Sequence, residues 1–209
     1  LVLILCIIGI VYASCIALVQ DNLKKLVAYS SIAHIGLMCA SIFVRNELSM
    51  QGMLIQLFTH GVNIIGLWLV IDMIEKQTGI KQMSQLRGIA NKAPFLTVML
   101  IIIALANIAL PLTNAFPGEF MMFAGLFQYN KIMAAVAGLG VILSAIYTLN
   151  MIQKVFYGEV NDTTITVTDI RWNQRLVLLT IGVIIFVTGV YPKLLVHITQ
   201  SAVTAFITR

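Results

Sequence analysis

Six apolar runs, each near the length that crosses a bilayer, constrain this chain more than any other feature. They lie at about 1–19, 24–44, 52–74, 94–129, 132–156 and 176–192, and the last continues as an amphipathic tail to about 206. A hydrocarbon core ~30 Å thick is spanned by about 20 helical residues. Inside it every backbone polar group must be satisfied within the segment, which leaves the helix as the structure of an isolated apolar run. Composition agrees. Of 209 residues, 60% are hydrophobic and only 10% charged, against about 25% charged in a soluble domain. The fold class read from this is all-α transmembrane, with about six spans and one of them discontinuous.

Residues 1–19 have no basic stretch before them and no small-residue cleavage site after them, so they read as a span rather than a signal peptide. The chain starts at Leu1 without Met. The expectation is a single domain, 1–209, forming the later part of a larger protein.

Net charge is +5, and its placement points to topology, not to nucleic acid. Lys24 and Lys25 follow the first run. Lys76, Lys81, Arg87 and Lys92 follow the third, and Lys154, Arg171 and Arg175 follow the fifth. If each run crosses once, these nine share one face, while Arg45, Lys131 and Arg209 lie on the other. The richer face is the cytoplasmic or matrix one. Cys6, Cys15 and Cys39 lie within apolar runs without ligand spacing and read as small buried hydrophobes. No dinucleotide, nucleotide, zinc-protease, haem or iron–sulfur pattern is present. No metal, no redox cofactor and no nucleic acid is therefore expected on this chain. The connection at 157–175 contains a polar, β-prone stretch from Asn161 to Asp169.

The fourth run is irregular. About 36 residues of unbroken helix would reach roughly 54 Å. Its middle reads Leu110-Pro111-Leu112-Thr113-Asn114-Ala115-Phe116-Pro117-Gly118-Glu119-Phe120. Pro111, Asn114, Pro117 and Gly118 are expected to break the helix. Irregular backbone at membrane depth is tolerated only against protein or a wet cavity, as in transporters; a simple kink is the plainer reading. Glu119 follows the break amid Phe116, Phe120, Met121, Met122 and Phe123. A carboxylate there is costly unless paired or protonated, so it reads as a proton-exchanging group or, more plainly, as an interfacial residue.

Two histidines sit deep in consecutive spans. His34 is about 15 Å into the second run at helical rise, and His60 lies well inside the third. Imidazole relays protons near neutral pH, and it also serves as an ordinary hydrogen-bonding group between membrane helices. Gln56 shares a face with His60, and Ser144, Tyr147, Thr148, Asn150 and Gln153 form a polar stripe on the fifth run. Lys24 reads as a topology anchor or as a polar gate toward His34. His197, on the tail, reads as a surface residue.

The stretch Asp21-Asn22-Leu23-Lys24-Lys25-Leu26-Val27-Ala28-Tyr29-Ser30-Ser31-Ile32-Ala33-His34-Ile35-Gly36 resembles the antiporter-like subunits of proton-pumping NADH:quinone oxidoreductase (respiratory complex I). Gln56-Leu57-Phe58-Thr59-His60-Gly61, the broken segment from Leu110-Pro111 to Phe120, and Gly189-Val190-Tyr191-Pro192 are similar to later parts of that family, in order. Glu119 points to the chain M (subunit 4) type, where the chain L and N types have a lysine. The resemblance implies the later portion of an inverted-repeat helical bundle, with His34 and His60 on a central relay, Glu119 as its terminal group and Lys24 on a matching basic position. It implies a proton-translocating subunit of an enzyme whose NADH, flavin, iron–sulfur clusters and quinone lie elsewhere. The implied partners are the other membrane-arm subunits, including the related antiporter-like ones, and the lipid bilayer. The implied location is a bacterial inner (plasma) membrane or a mitochondrial inner membrane. An Mrp-type or hydrogenase-linked cation/proton antiporter subunit and a non-conducting scaffold are the alternatives.

Overall fold

Helix α1 (Val2–Val19) contains no charged residue, and its serine, Ser14, turns its hydroxyl back onto the Ile10 carbonyl. The structure, a computed structural model, describes residues 1–207. Helix α2 (Leu23–Val44) starts where the Lys25 N–H donates to Asn22 Oδ1 at 3.1 Å and stops at Arg45, which is left-handed at φ 54°. Asn46 starts α3 (Glu47–Thr78) in the same way, and Gly79 at φ 71° ends it. These side-chain acceptors satisfy amide groups that a helix start leaves open.

Beyond α3 come two short 3₁₀ turns, Met83–Gln85 and Ile89–Asn91, then α4 (Pro94–Asn107) and α5 (Ala115–Tyr129). Helices α6 (Lys131–Phe156), α7 (Trp172–Val190) and α8 (Lys193–Ile207) complete the described chain. Helices α1, α2, α3, α6 and α7 are long and apolar enough to cross a membrane. Helices α4 and α5, 14 and 15 residues long, reach only about 21 and 22 Å each. They cross as a pair. The start of α4 is bound to the α6–α7 connection, whereas Gly125 of α5 is bound to Asn46 on the opposite face.

Several boundaries differ from the sequence expectation. The third run, read as 52–74, is a helix of 32 residues. At about 48 Å it outreaches the hydrocarbon core, because its caps lie beyond its apolar stretch. The last run ends at Val190, and the amphipathic tail is a separate helix after Tyr191-Pro192. The β-prone connection forms no strand among the described residues. The Asn161 carboxamide instead takes hydrogen bonds from the Thr163 and Thr164 hydroxyls, both at 2.8 Å, which closes a turn.

Hydrogen bonds collect the three basic connections on one face. Leu23 N donates to Lys81 O at 3.0 Å, Gly88 N to Tyr157 O at 3.3 Å and Thr164 Oγ1 to Arg87 O at 2.6 Å. The opposite face holds Arg45, Lys131 and the α8 contact, where Gln51 Nε2 donates to Val196 O at 3.1 Å. Arg209, assigned to that face from sequence, lies outside the described residues.

The start of α4 is held from another part of the chain. Asp169 accepts from the Phe95 and Leu96 amides at 3.1 and 3.2 Å and pairs with Arg175 at 3.4 Å. Replacing Asp169 with Ala opens two helix-start amides and is expected to cost about 1–2 kcal/mol. Asp169→Asn should recover part of it. Thermal unfolding of the subunit, with proteolytic nicking of 157–171, reads both; equal stability of all three proteins contradicts the assignment.

Candidate functional site

His34 on α2 and His60 on α3 stack with ring centroids 5.1 Å apart and planes 28° apart. Both are buried. Two adjacent serines hold them. His34 Nδ1 donates to the Ser30 carbonyl at 2.8 Å, and His60 Nε2 lies 2.9 Å from Ser31 Oγ. A carbonyl only accepts, so the His34 nitrogen facing it carries hydrogen and Nε2 is the nitrogen left to exchange a proton. Stacked rings do not hydrogen-bond face to face. A proton crossing between them therefore passes at their edges, through a hydroxyl or a water.

The helix break lies beside this pair. Helix α4 closes with Leu110 N donating to Leu105 O and Ala109 N to Ala106 O, both at 3.1 Å, around Ala109 at φ 55°. This is a Schellman closure, usually made by glycine. Leu112 is also left-handed, at φ 74°. Thr113 Oγ1 donates to Leu110 O at 2.6 Å, and Asn114 Nδ2 reaches Thr59 O on α3 at 3.5 Å. Pro111 and Asn114 occupy the break as expected. Pro117 and Gly118 do not; they lie in the first turn of α5. A proline is accommodated there because its missing N–H would have no intrahelical partner. Gly118 serves proximity: a Cβ on it would come within 3.0 Å of Gly52 O and 2.9 Å of Gln56 Oε1.

Glu119 is the fifth residue of α5 and is buried. It lines a small cavity together with His34, Leu37, Phe123 and Ser144. The space for water centres is ≈ 20 Å³, room for one water molecule. Glu119 Oε2 has no hydrogen-bond partner among the described residues. An ionised carboxylate there costs several kcal/mol without a nearby counter-charge, and His34 across the cavity is placed to supply one. Asn63, one turn beyond His60, has a fully buried amide without a partner among the described residues, as do the carbonyl oxygens of Asn107 and Asn114. Buried polar groups of this kind are where ordered water is held.

Lys24 stands apart. Its ammonium lies 2.7 Å from Glu75 Oε2 and 4.0 Å from Asp72 Oδ1, and over the Trp68 ring at 5.6 Å. Ten residues of α2, about 15 Å, separate it from His34. Lys81 and Lys76 join the same cluster, through Glu75 at 3.3 Å and Asp72 at 2.7 Å. The α6 stripe divides: Ser144, Tyr147 and Thr148 face inward, Asn150 is half-buried, and Gln153 is exposed. His197 is exposed on α8. Asn107 was not singled out from sequence. Its signal is that it is the one amide side chain in the apolar run before the break.

A family model described as NADH:quinone oxidoreductase/Mrp antiporter, TM, matches residues 1–146. The chain belongs to that family. NADH-quinone oxidoreductase subunit M of Rhodobacter capsulatus is 34% identical over 203 residues, 97% of this chain and 40% of the relative. The protein of the same name from Rickettsia prowazekii is 37% identical over 164 residues, 78% of this chain and 33% of the relative. A chain in the structure of respiratory complex I from Thermus thermophilus with bound NADH superposes at TM-score 0.93 and 29% identity, covering 99% of this chain and 44% of that one. The Mrp complex from Dietzia sp. DQ12-45-1b shares the fold at TM-score 0.89 and 16% identity, over 99% of this chain and 48% of that one. This family member thus spans about 40% of the length of its Rhodobacter relative.

The Gly52–Gly118 approach sets where α5 presents Glu119. Gly118→Ala is expected to push α5 off α3 at a cost of about 1–3 kcal/mol. Melting of the purified protein should fall by a few degrees, although no ionisable group is lost. Wild-type melting in this variant would show that the close approach does not set the position of α5.

Proposed function

We propose that this chain forms a proton-translocating domain in the membrane arm of an NADH:quinone oxidoreductase, as the later portion of its subunit M. The supporting observation is that His34, stacked on His60, lines a small cavity with Glu119 beside a broken helix. Protons pass along His60, His34 and Glu119, and Lys24 with its carboxylate partners stands at the basic face of the path. At an effective dielectric of about 20, two unit charges 5.1 Å apart repel by about 3 kcal/mol. The histidine pair therefore carries one proton at a time, and a proton on His34 is attracted by a charged Glu119. Arrival and departure become alternating events.

The chain supplies charge movement; electron transfer from NADH through flavin and iron–sulfur clusters to quinone takes place in other subunits. Partners at the break follow from the physics of the bilayer. Leu110 and Leu112 are 44% and 67% exposed at a depth where irregular backbone is not left to lipid. Another protein segment covers them in the assembled membrane arm. The bacterial relatives support a plasma-membrane location.

The deciding experiment places Glu119→Gln in the full-length subunit of the assembled complex and measures proton pumping against NADH oxidation in sealed vesicles. Intact assembly with pumping reduced several-fold is expected. Unchanged pumping sinks the relay and favours a non-conducting scaffold. Co-purification with cation/proton antiporter or hydrogenase subunits, in place of quinone-reducing ones, favours the other transporter reading.

A further inference from the structure

The side chain that ties the histidine pair to the break belongs to neither. Tyr147, in the middle of α6, is among the largest fully buried residues. Its hydroxyl donates to Ser30 Oγ at 2.9 Å. Asn107, the last residue of α4, donates to the same oxygen through Nδ2 at 3.4 Å. The carbonyl of Ser30 holds His34 Nδ1 at 2.8 Å. One serine therefore receives α6, receives the end of α4 and fixes the ring of His34.

We propose that Tyr147 is a positioning residue for His34, acting through Ser30 and resting on the relay reading above. The hydrogen bond to the Ser30 carbonyl leaves one ring nitrogen of His34 free to exchange a proton. Where that nitrogen points depends on where Ser30 sits, one helical turn earlier. Serines inside helices otherwise bond back to the carbonyl four residues before, as Ser14 and Ser41 do. The two donors from α6 and α4 take both acceptor positions of the Ser30 hydroxyl and anchor its oxygen between those helices. Because Asn107 closes α4 at the break, a movement there reaches His34 through the same serine, from its hydroxyl to its carbonyl. The titratable groups facing His34 are His60 from α3 and Glu119 from α5, while Tyr147 from α6 meets Ser30 one turn earlier. α1 presents Ile10 to the cavity, and α4 presents Asn107 to Ser30.

The test uses Tyr147→Phe, Ser30→Ala, the double variant and Ser30→Thr in the complete subunit within the assembled complex. Tyr147→Phe keeps the ring and removes only the hydroxyl. Coupled pumping is expected to fall about two- to tenfold, the factor corresponding to one hydrogen bond of ordinary net strength, and its pH profile should move. Ser30→Ala should do the same, the double variant should be no worse than either, and Ser30→Thr should retain wild-type behaviour. An unchanged rate and pH profile in Tyr147→Phe, or additive losses in the double variant, overturns the proposal. Glu119→Gln, measured alongside, separates the two claims. If it abolishes pumping while Tyr147→Phe changes nothing, the positioning role alone fails; if it too changes nothing, the relay reading fails first.

Discussion

The satisfaction of backbone hydrogen bonds inside hydrocarbon governs this molecule. Five helices meet that demand by themselves, since an uninterrupted helix closes its own carbonyl and amide groups. The sixth crossing does not. Between Asn107 and Ala115 the chain stops being helical at a depth of about 20 Å from either face. Leu110 N and Ala109 N fold back on α4, Thr113 Oγ1 returns to the Leu110 carbonyl, and Asn114 reaches across to α3. Two non-glycine residues accept left-handed backbone to make this possible, a strain that persists only when surrounding packing determines it. Gly189 on α7 contributes to that packing, because a Cβ there would run into the backbone of Leu112, Thr113 and Asn114.

Opening a helix at this depth creates polar groups where an apolar interior would otherwise be. Those groups lie against the helices that carry the histidine pair and lead into the helix that carries the carboxylate. Asn107 touches Ser30, Asn114 touches Thr59 one residue before His60, and Glu119 begins the second turn of the helix that resumes. A path for charge needs titratable groups, polar groups that hold water between them, and walls that keep lipid away. In the proposed relay the break supplies the second of these, and the close approach of α3 and α5 at Gly52 and Gly118 sets the position of the helix that carries Glu119.

The basic face is organised by a different interaction. Lys24, Lys76 and Lys81 are drawn to Asp72 and Glu75 on the protruding end of α3. Ion pairs this exposed contribute little to stability individually. Hydrogen bonds between the connections, from Met83 N to Asp21 O and from Thr164 Oγ1 to Arg87 O, also fasten the loops. Lys24 is thus one member of a charge cluster at this face.

The sequence by itself determined the spans and the break. Apolar length and the scarcity of charge leave a membrane-embedded chain no alternative to helices, and Pro111 beside Thr113 and Asn114 marks where one must fail. It also marked His34, His60 and Glu119, because a titratable residue in an apolar run is conspicuous by cost alone. Only the tertiary structure decided that Pro117 and Gly118 start a helix, since a first turn tolerates proline and sequence does not say where that turn begins. Asn46 caps α3 and Asn161 closes its turn through local contacts, but the same side chains also reach Gly125 and Gln85, which no local pattern shows. The convergence of Tyr147, Asn107 and Ser30 was decided there too. They are separated by 77 and 117 positions along the chain, and helical periodicity carries no information about which faces of distant helices meet.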